Sequence, residues 1–275
     1  GSAGCVMATR LSEDPSKTVL LLEAGPDYPD FEHLPEDLKN GYNVWRSAYG
    51  PHSWDYRASA TPLQPEPIII PRGKATGGSS AINGQVVFRG LPEDYDLWAE
   101  WGNDEWAYTK VLPYFRKLET DHDFADEFHG QDGPIPIRRI TQEKMSPFVK
   151  KLCSTLNARG YRTKPDQNGM WEDGIYVGAI AKDDNGHRVP TSTAYLSNDV
   201  RARPNLRIMT DHLAERITFE GTRATGAIIR PADGSEKPQT MQANETILSC
   251  GAIHTPALLM RSGVGPSDQP VLDIP

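Results

Sequence analysis

The chain has 275 residues, 37% of them hydrophobic and 24% charged, with a net charge of −8. This length fits one large domain or two ordinary ones, and no apolar run is long enough to span a bilayer. An acidic balance with no basic stripe argues against nucleic acid as a partner. Cys5, Cys153 and Cys250 are far apart and lack metal-ligand spacing. An odd set without a disulfide framework points to a reducing compartment, hence the cytoplasm, and to no metal. The chain begins Gly1-Ser2-Ala3-Gly4 without Met and stops at Ile274-Pro275. Both ends read as cut, which leaves a signal peptide open.

Cys5 to Leu11 reads as a helix packed closely on a sheet, and Ser12 to Lys17 turns the chain at Pro15. Thr18 to Leu22 is a short, continuously apolar run, the pattern of a parallel strand covered on both faces. Gly1-x-x-Gly4 matches the second and third glycines of a G-x-G-x-x-G dinucleotide fingerprint. Glu23 follows Gly4 by 19 positions, where a carboxylate accepts hydrogen bonds from a ribose. Such a carboxylate repels a 2′-phosphate. Ordinary strand–helix packing is the alternative reading of so short a motif.

Pro26 to Leu63 is polar and rich in Pro, Trp and Tyr, an irregular excursion along a ligand or an interface. The stretch Pro71 to Gly90, PRGKATGGSSAINGQVVFRG, has Gly77 and Gly78 at its centre and Ser79, Ser80 and Asn83 behind them. Glycines let backbone N–H groups approach a ligand, so this reads as an anion cradle with Arg72 and Lys74 at its entrance. A flexible Gly/Ser turn is the competing reading.

Pro92 to Trp101 reads as a helix with acidic residues near its N-terminus. A second helix, capped by Thr109, carries Val111, Tyr114, Phe115 and Leu118 on one face. These residues, with Trp98 and Trp106, are expected in the core. Phe128 to Pro136 is a turn-rich joint. Ser146 to Gly160 is a helix, Gly174 to Ala181 a strand, Asp183 to Gly186 a hairpin turn, and Thr191 to Leu196 a short helix. Leu206 to Met209, Ile217 to Phe219 and Ala224 to Ile229 make an antiparallel meander, with a hairpin signal at Asp233-Gly234. Thr246 to Cys250 reads as a buried strand. It leads into a helix with Thr255 as N-cap, Pro256 at N1 and Gly263 at C′, whose N-terminus suits an anion.

At these residues the sequence resembles the glucose–methanol–choline (GMC) oxidoreductases, flavoenzymes that oxidise alcohols. One signature of that family resembles Gly73 to Asp96, with departures at Thr76, usually a bulky aliphatic residue, and at Val87, usually aromatic or Ala. Another resembles Gly251 to Gly265. Shorter stretches similar to the family's are Tyr95-Asp96-x-Trp98, His129-Gly130-x-Asp132-Gly133-Pro134 and Ser192 to Leu196.

The resemblance implies a mixed α/β fold: a Rossmann-like FAD-binding domain with a three-stranded antiparallel meander, and part of an antiparallel-sheet substrate domain. Residues 1–138 and 201–275 would form the two parts of the former, and 139–200 the latter. It implies FAD, with Gly1, Gly4 and Glu23 at the pyrophosphate and adenosine ribose. Gly77, Gly78 and Ser79 would lie in the cradle, and Asn83, Gly84, Gln85 and Val86 beside the pyrophosphate and flavin. Ala214 and Ala252 would lie at the adenosine end. The implied reaction is alcohol oxidation by hydride transfer, with a small alcohol as substrate and an unassigned electron acceptor. The family's catalytic His, with its His or Asn partner, would lie beyond Pro275. His254 is the one tempting histidine here, and local packing is its competing role. A redox-silent relative such as a hydroxynitrile lyase, or an inactive FAD-binding module, are the other readings.

Overall fold

The computed structural model describes residues 1–267, which fall into two compact units. One joins Gly1–Asn83 to the segment from Pro190 onward, and the other is Gly84–Val189. The sequence-based boundaries, after 138 and after 200, lie elsewhere.

In the first unit the helix Ser2–Leu11 packs on the strand Val19–Leu22 and on the short helix Thr191–Tyr195. Its small buried residues Gly4, Cys5 and Ala8 permit that close approach. Val19–Leu22 pairs in parallel with Leu206–Met209, from Val19 opposite Leu206 to Leu22 opposite Met209. Leu206–Met209 therefore leaves the meander to which the sequence pattern assigned it. Asn205 is the physical reason. Its amide donates to the carbonyls of Ser12, Asp14 and Lys17, and its own carbonyl accepts from Val19 N–H at 2.8 Å. The turn before the first strand is thereby tied to the start of the second.

The meander itself is His212–Glu220, Arg223–Pro231 and Gln239–Gln242, antiparallel throughout, with a register shift between Ala214 and Arg216. Thr246 to Cys250 has no ladder partner among the described residues and is not a strand. The helix after it runs Gly251–Arg261, so Thr255 and Pro256 lie inside it and not at its start. Gly251 begins the turn with φ +83°. Pro256, in the second turn, removes only the bond to the carbonyl of Ala252. The excursion after Gly25 contains the helical turns Glu36–Lys39 and Val44–Ala48 and the hairpin Tyr56–Ala58/Ile68–Ile70. A small core of Leu34, Leu38, Ala81 and Ile82, packed by Tyr28 and Phe31, joins it to the glycine stretch.

In the second unit Pro92–Glu100 and Tyr108–Leu118 are helical. The N-cap of the latter is Ala107 and not Thr109, because Asp96 accepts the free N–H of Tyr108 at 2.9 Å. Its expected buried stripe is largely open. Val111 is buried, but Tyr114 is 71% exposed, and Trp98 and Trp106 are 42% and 51% exposed. Tyr95 gathers Trp98, Tyr108 and Phe115 into a partly exposed aromatic cluster instead. The three-stranded sheet is mixed and not purely antiparallel. Glu119–Asp121 runs parallel to Ile135–Arg138, which pairs antiparallel with Ile180–Ala181. The single expected strand Gly174 to Ala181 is two, the first of which, Ile175–Tyr176, pairs with Thr163–Lys164. Ser146 caps Pro147–Ala158 by accepting from Val149 N–H. Among the described residues no helix is long and apolar enough to cross a membrane.

Thr76, one of the departures from the family pattern, is 4% exposed, and its hydroxyl has no partner among the described residues. A buried hydroxyl without a bond costs about 1–3 kcal/mol. Thr76→Val, which keeps the shape and removes the oxygen, is expected to raise the stability of the chain by about 1 kcal/mol in urea unfolding.

Candidate functional site

Glu23 ends the first strand and is 8% exposed. Its Oε2 accepts from the Gly1 nitrogen at 2.7 Å and its Oε1 from Gly25 N–H at 3.2 Å. The strand is held in line by Glu23 N–H to Met209 O and by His212 N–H to Glu23 O. Gly1, Gly4 and Glu23 are thus brought together. The helix that starts at Ser2 has no side-chain cap and no acidic residue in its first turn. The first N–H groups of any helix lack intrahelical acceptors, and the dipole makes that end attractive to anions. The approach to the helix Gly251–Arg261 meets the same place. A Cβ on Gly1 would stand 2.7 Å from the Ser249 carbonyl oxygen, and one on Gly4 3.5 Å from the Ser249 Cβ. That second helix also lacks a side-chain cap and an acidic first turn, and Ala252 lies exposed in it.

Gly77 and Gly78 sit at the same helix N-terminus, packed against its first residues. Gly78 has φ +54°, and a Cβ there would fall 2.7 Å from Gly1 Cα. Gly77 has φ +96°, and its Cβ would meet Ser192 Oγ at 2.8 Å. Much of the stretch's donor set is turned inward. Gly73 N–H donates to Ser79 Oγ, Thr76 to Pro26 O, Gly78 to Ala75 O, Ser80 to Ser2 Oγ, and Asn83 to Ser79 O. Ser2 Oγ in turn donates to Gly77 O at 2.9 Å. The stretch buttresses the first helix, whose own first N–H groups have no intrahelical acceptors. Lys74 places its ammonium 4.9 Å from the centre of the Trp54 ring, and Arg72 donates to its neighbour's carbonyl.

Ala214 lies in the meander just before the register shift, and Arg261 donates to its carbonyl and to that of Glu215. Asn83 ends this unit, whereas Gly84, Gln85 and Val86 open the other. There Gln85 is buried with φ +66°, an uncommon conformation for a side-chain-bearing residue, and its carbonyl accepts from Ala181 N–H at 2.9 Å. Val86 is 51% exposed. His254 is held by packing. Its ring meets Trp54 edge-on at 4.4 Å and shares a hydrogen bond with the Tyr56 hydroxyl. Burial, then Arg261, pushes its pKa down.

The second unit contains a buried ionic cluster that sequence reasoning missed. His129 Nδ1 lies 3.2 Å from Glu119 and 3.1 Å from Asp121, and its Nε2 lies 3.0 Å from Asp166. Arg89 pairs with Glu119 at 2.7 Å, and Arg139 with Asp121 and Asp166 at 2.9 and 2.6 Å. Both ring nitrogens face carboxylates, so both carry protons. Burial opposes the imidazolium, but the bonds to Asp121, Asp166 and Glu119 prevail and raise its pKa to about 11. Burial likewise opposes the Asp121 carboxylate, but His129 and Arg139 hold its pKa well below the usual range. Glu119, Asp121 and His129 converge closely enough to suggest a metal centre. An imidazolium has no lone pair for a metal, and two guanidiniums already match the carboxylates, so the cluster is an ion-pair network. The His129-Gly130-x-Asp132-Gly133-Pro134 motif was its visible signal. Gly130 and Gly133 are needed there because a Cβ on either would strike the backbone of Arg116 or Glu119.

The pH dependence follows. His129, raised from 6.5, contributes stability that is complete below about pH 6.5 and lost as pH climbs toward about 11. Asp121, lowered from 3.8, contributes stability that is present above that value and lost below it. Urea unfolding across pH should therefore show the network's contribution to be largest between about pH 4 and 6.5. His129→Ala should lower stability by about 3–5 kcal/mol and flatten the alkaline limb.

The comparisons agree with this architecture. The model of the GMC oxidoreductase family matches residues 1–273. The chain is 38% identical to a 5-(hydroxymethyl)furfural oxidase of Methylovorus sp. (strain MP688), covering 100% of this chain and 52% of that protein. It is 41% identical to an oxygen-dependent choline dehydrogenase of Burkholderia pseudomallei (strain 1710b), covering 100% and 48%. The crystal structure of pyridoxine 4-oxidase from Mesorbium loti superposes with a TM-score of 0.89 at 31% identity, covering 98% of this chain and 51% of that one. The chain spans about half the length of the curated relatives it matches. By its own sequence and fold, the chain belongs to the GMC oxidoreductase family.

Proposed function

We propose that this chain is the cofactor-seating half of an FAD-dependent enzyme that oxidises a small alcohol to an aldehyde or ketone. The observation that carries the reading is the convergence of two uncapped helix N-termini beside the Glu23 carboxylate. Those residues fit an extended dinucleotide. The amides of the Gly1–Gly4 turn suit its pyrophosphate, and Glu23 suits the hydroxyls of its adenosine ribose. Ala214 and Ala252 belong at the adenosine end in this reading. In this reading Gly77, Gly78 and Ser79 support the pyrophosphate turn from behind, and Asn83, at the end of the same unit, belongs on the flavin side. FAD, when bound, supplies the hydride acceptor for the alcohol carbon.

The reaction also needs a group to take the hydroxyl proton. His129 is already protonated at both nitrogens, and His254 is tied to Tyr56, so we assign that role to neither. The names of the relatives, which refer to 5-(hydroxymethyl)furfural, choline and pyridoxine, support a small primary alcohol as substrate. Cys5, Cys153 and Cys250 are free, in keeping with a cytoplasmic protein.

A protein of the relatives' full length carrying this chain is expected to purify yellow and to lose that colour when a primary alcohol is added without oxygen. Residues 1–275 alone are expected to show no alcohol turnover. A colourless long form that FAD does not stabilise, or turnover by residues 1–275, would contradict the proposal.

A further inference from the structure

Three side chains of the excursion after Gly25 form a directed chain of hydrogen bonds that the site above does not use. Asp37 Oδ2 lies 2.7 Å from His52 Nδ1, and His52 Nε2 lies 2.6 Å from the Tyr28 hydroxyl. His52 is 5% exposed. An ionised carboxylate only accepts, so Nδ1 carries the proton. Nε2 then presents its lone pair, and the Tyr28 O–H donates. Each partner is fixed in turn. The Ser47 hydroxyl donates to the Asp37 carbonyl at 2.7 Å, and the Tyr28 ring meets His52 edge-on at 5.2 Å. That ring also packs on Leu34, Leu38, Ala81 and Ile82.

The middle member of this chain, and the segment just before one end of it, supply the two backbone carbonyls that hold the segment before the glycine pair. The carbonyl of His52 itself accepts from Lys74 N–H at 2.7 Å. The carbonyl of Pro26, two residues before Tyr28, accepts from Thr76 N–H at 3.0 Å. The side-chain chain therefore fixes the separation of the two acceptors that grip Lys74 and Thr76. Gly77 and Gly78 follow directly, and Gly78 lies against Gly1 with no room for a Cβ.

We infer that Asp37, His52 and Tyr28 are positioning residues that hold the Lys74–Gly78 strap against the N-terminus of the Ser2–Leu11 helix, and through it the cofactor seat. The inference rests on the proposed function only in its last step. Protonation of His52 leaves the chain closed, because the Tyr28 oxygen then accepts where it had donated.

The test is amide hydrogen exchange on residues 1–275 together with FAD titration. Tyr28→Phe removes the hydroxyl and keeps the ring. Loss of one net hydrogen bond speeds local opening about tenfold. Exchange at Lys74 and Thr76 should rise about that much, with the His212–Glu220 strand unchanged, and FAD affinity should fall by a similar factor. Asp37→Asn, which keeps a neutral acceptor, should retain most of the protection, and Asp37→Leu should lose it. These two variants decide the matter should Tyr28→Phe fail to fold. Unchanged exchange at Lys74 and Thr76 would overturn the relay. So would an equal rise across the His212–Glu220 strand, which signals only lower global stability. Faster exchange in a chain that binds no FAD even when unaltered upholds the relay and defeats the cofactor reading. Weaker FAD binding with unchanged exchange does the reverse.

Discussion

Gly78 and Gly1 meet backbone to backbone, closely enough that a single Cβ on Gly78 would come within 2.7 Å of Gly1 Cα. The rest of the first unit is arranged around that approach. The first helix is held there by Ser2, which accepts from Ser80 N–H and donates to Gly77 O. Ser80 reaches on to Thr191, joining the glycine stretch to the Thr191–Tyr195 helix. These groups satisfy one another, so much of the stretch's hydrogen bonding is internal. What it leaves open is the end of the first helix, where unpaired N–H groups and the helix dipole favour an anion. Glu23 is a carboxylate near an anion-attracting end, and it is stabilised there by two N–H donors, from Gly1 and Gly25. A positive helix end beside a negative acceptor suits a molecule with a phosphate next to a sugar diol.

The second unit is organised by charge. Arg89, Arg139 and His129 stand against Glu119, Asp121 and Asp166, so the buried charges cancel. A buried ion pair stabilises weakly, but losing one member leaves its partner's charge uncompensated. The cluster therefore enforces one arrangement of elements far apart in sequence. It ties the segment after Val87 through Arg89, the Glu119–Asp121 strand, the turn at His129 and the loop at Asp166 and Asn168.

Much of this order was legible in the sequence where a local rule sets it. The continuous apolar run up to Leu22, with Glu23 at its end, identifies a parallel strand and its acidic terminus, but of Val19–Leu22 only Leu21 is fully buried, so the expected cover on both faces is partial. The compact run Cys5 to Leu11 identifies most of the helix beside it, and Ser146 to Gly160 reads as the helix that runs Pro147–Ala158. What was not legible depends on partners. Leu206–Met209 has the pattern of any short strand, and only Asn205, bonded to three distant carbonyls, places it beside Val19–Leu22. Thr109 is a good cap by composition, yet Asp96 caps the helix earlier. Residues 28, 37 and 52 share no period, so no sequence rule joins them. His129 was visible as part of a motif, but its three carboxylates and two arginines come from separate segments. Tyr114 kept its helical phase without a covering surface, since periodicity predicts a face and not what lies against it.

The central claim is that the Gly1–Gly4 turn and Glu23 seat the phosphate and ribose of an adenine dinucleotide. Comparing FAD with FMN tests it directly, because FMN has the flavin and one phosphate but no adenosine. Titration of residues 1–275 is expected to show saturable FAD binding, FMN binding at least about tenfold weaker, and loss of most of that difference in Glu23→Gln. Equal affinity for FAD and FMN, or a preference that survives Glu23→Gln, would contradict the account.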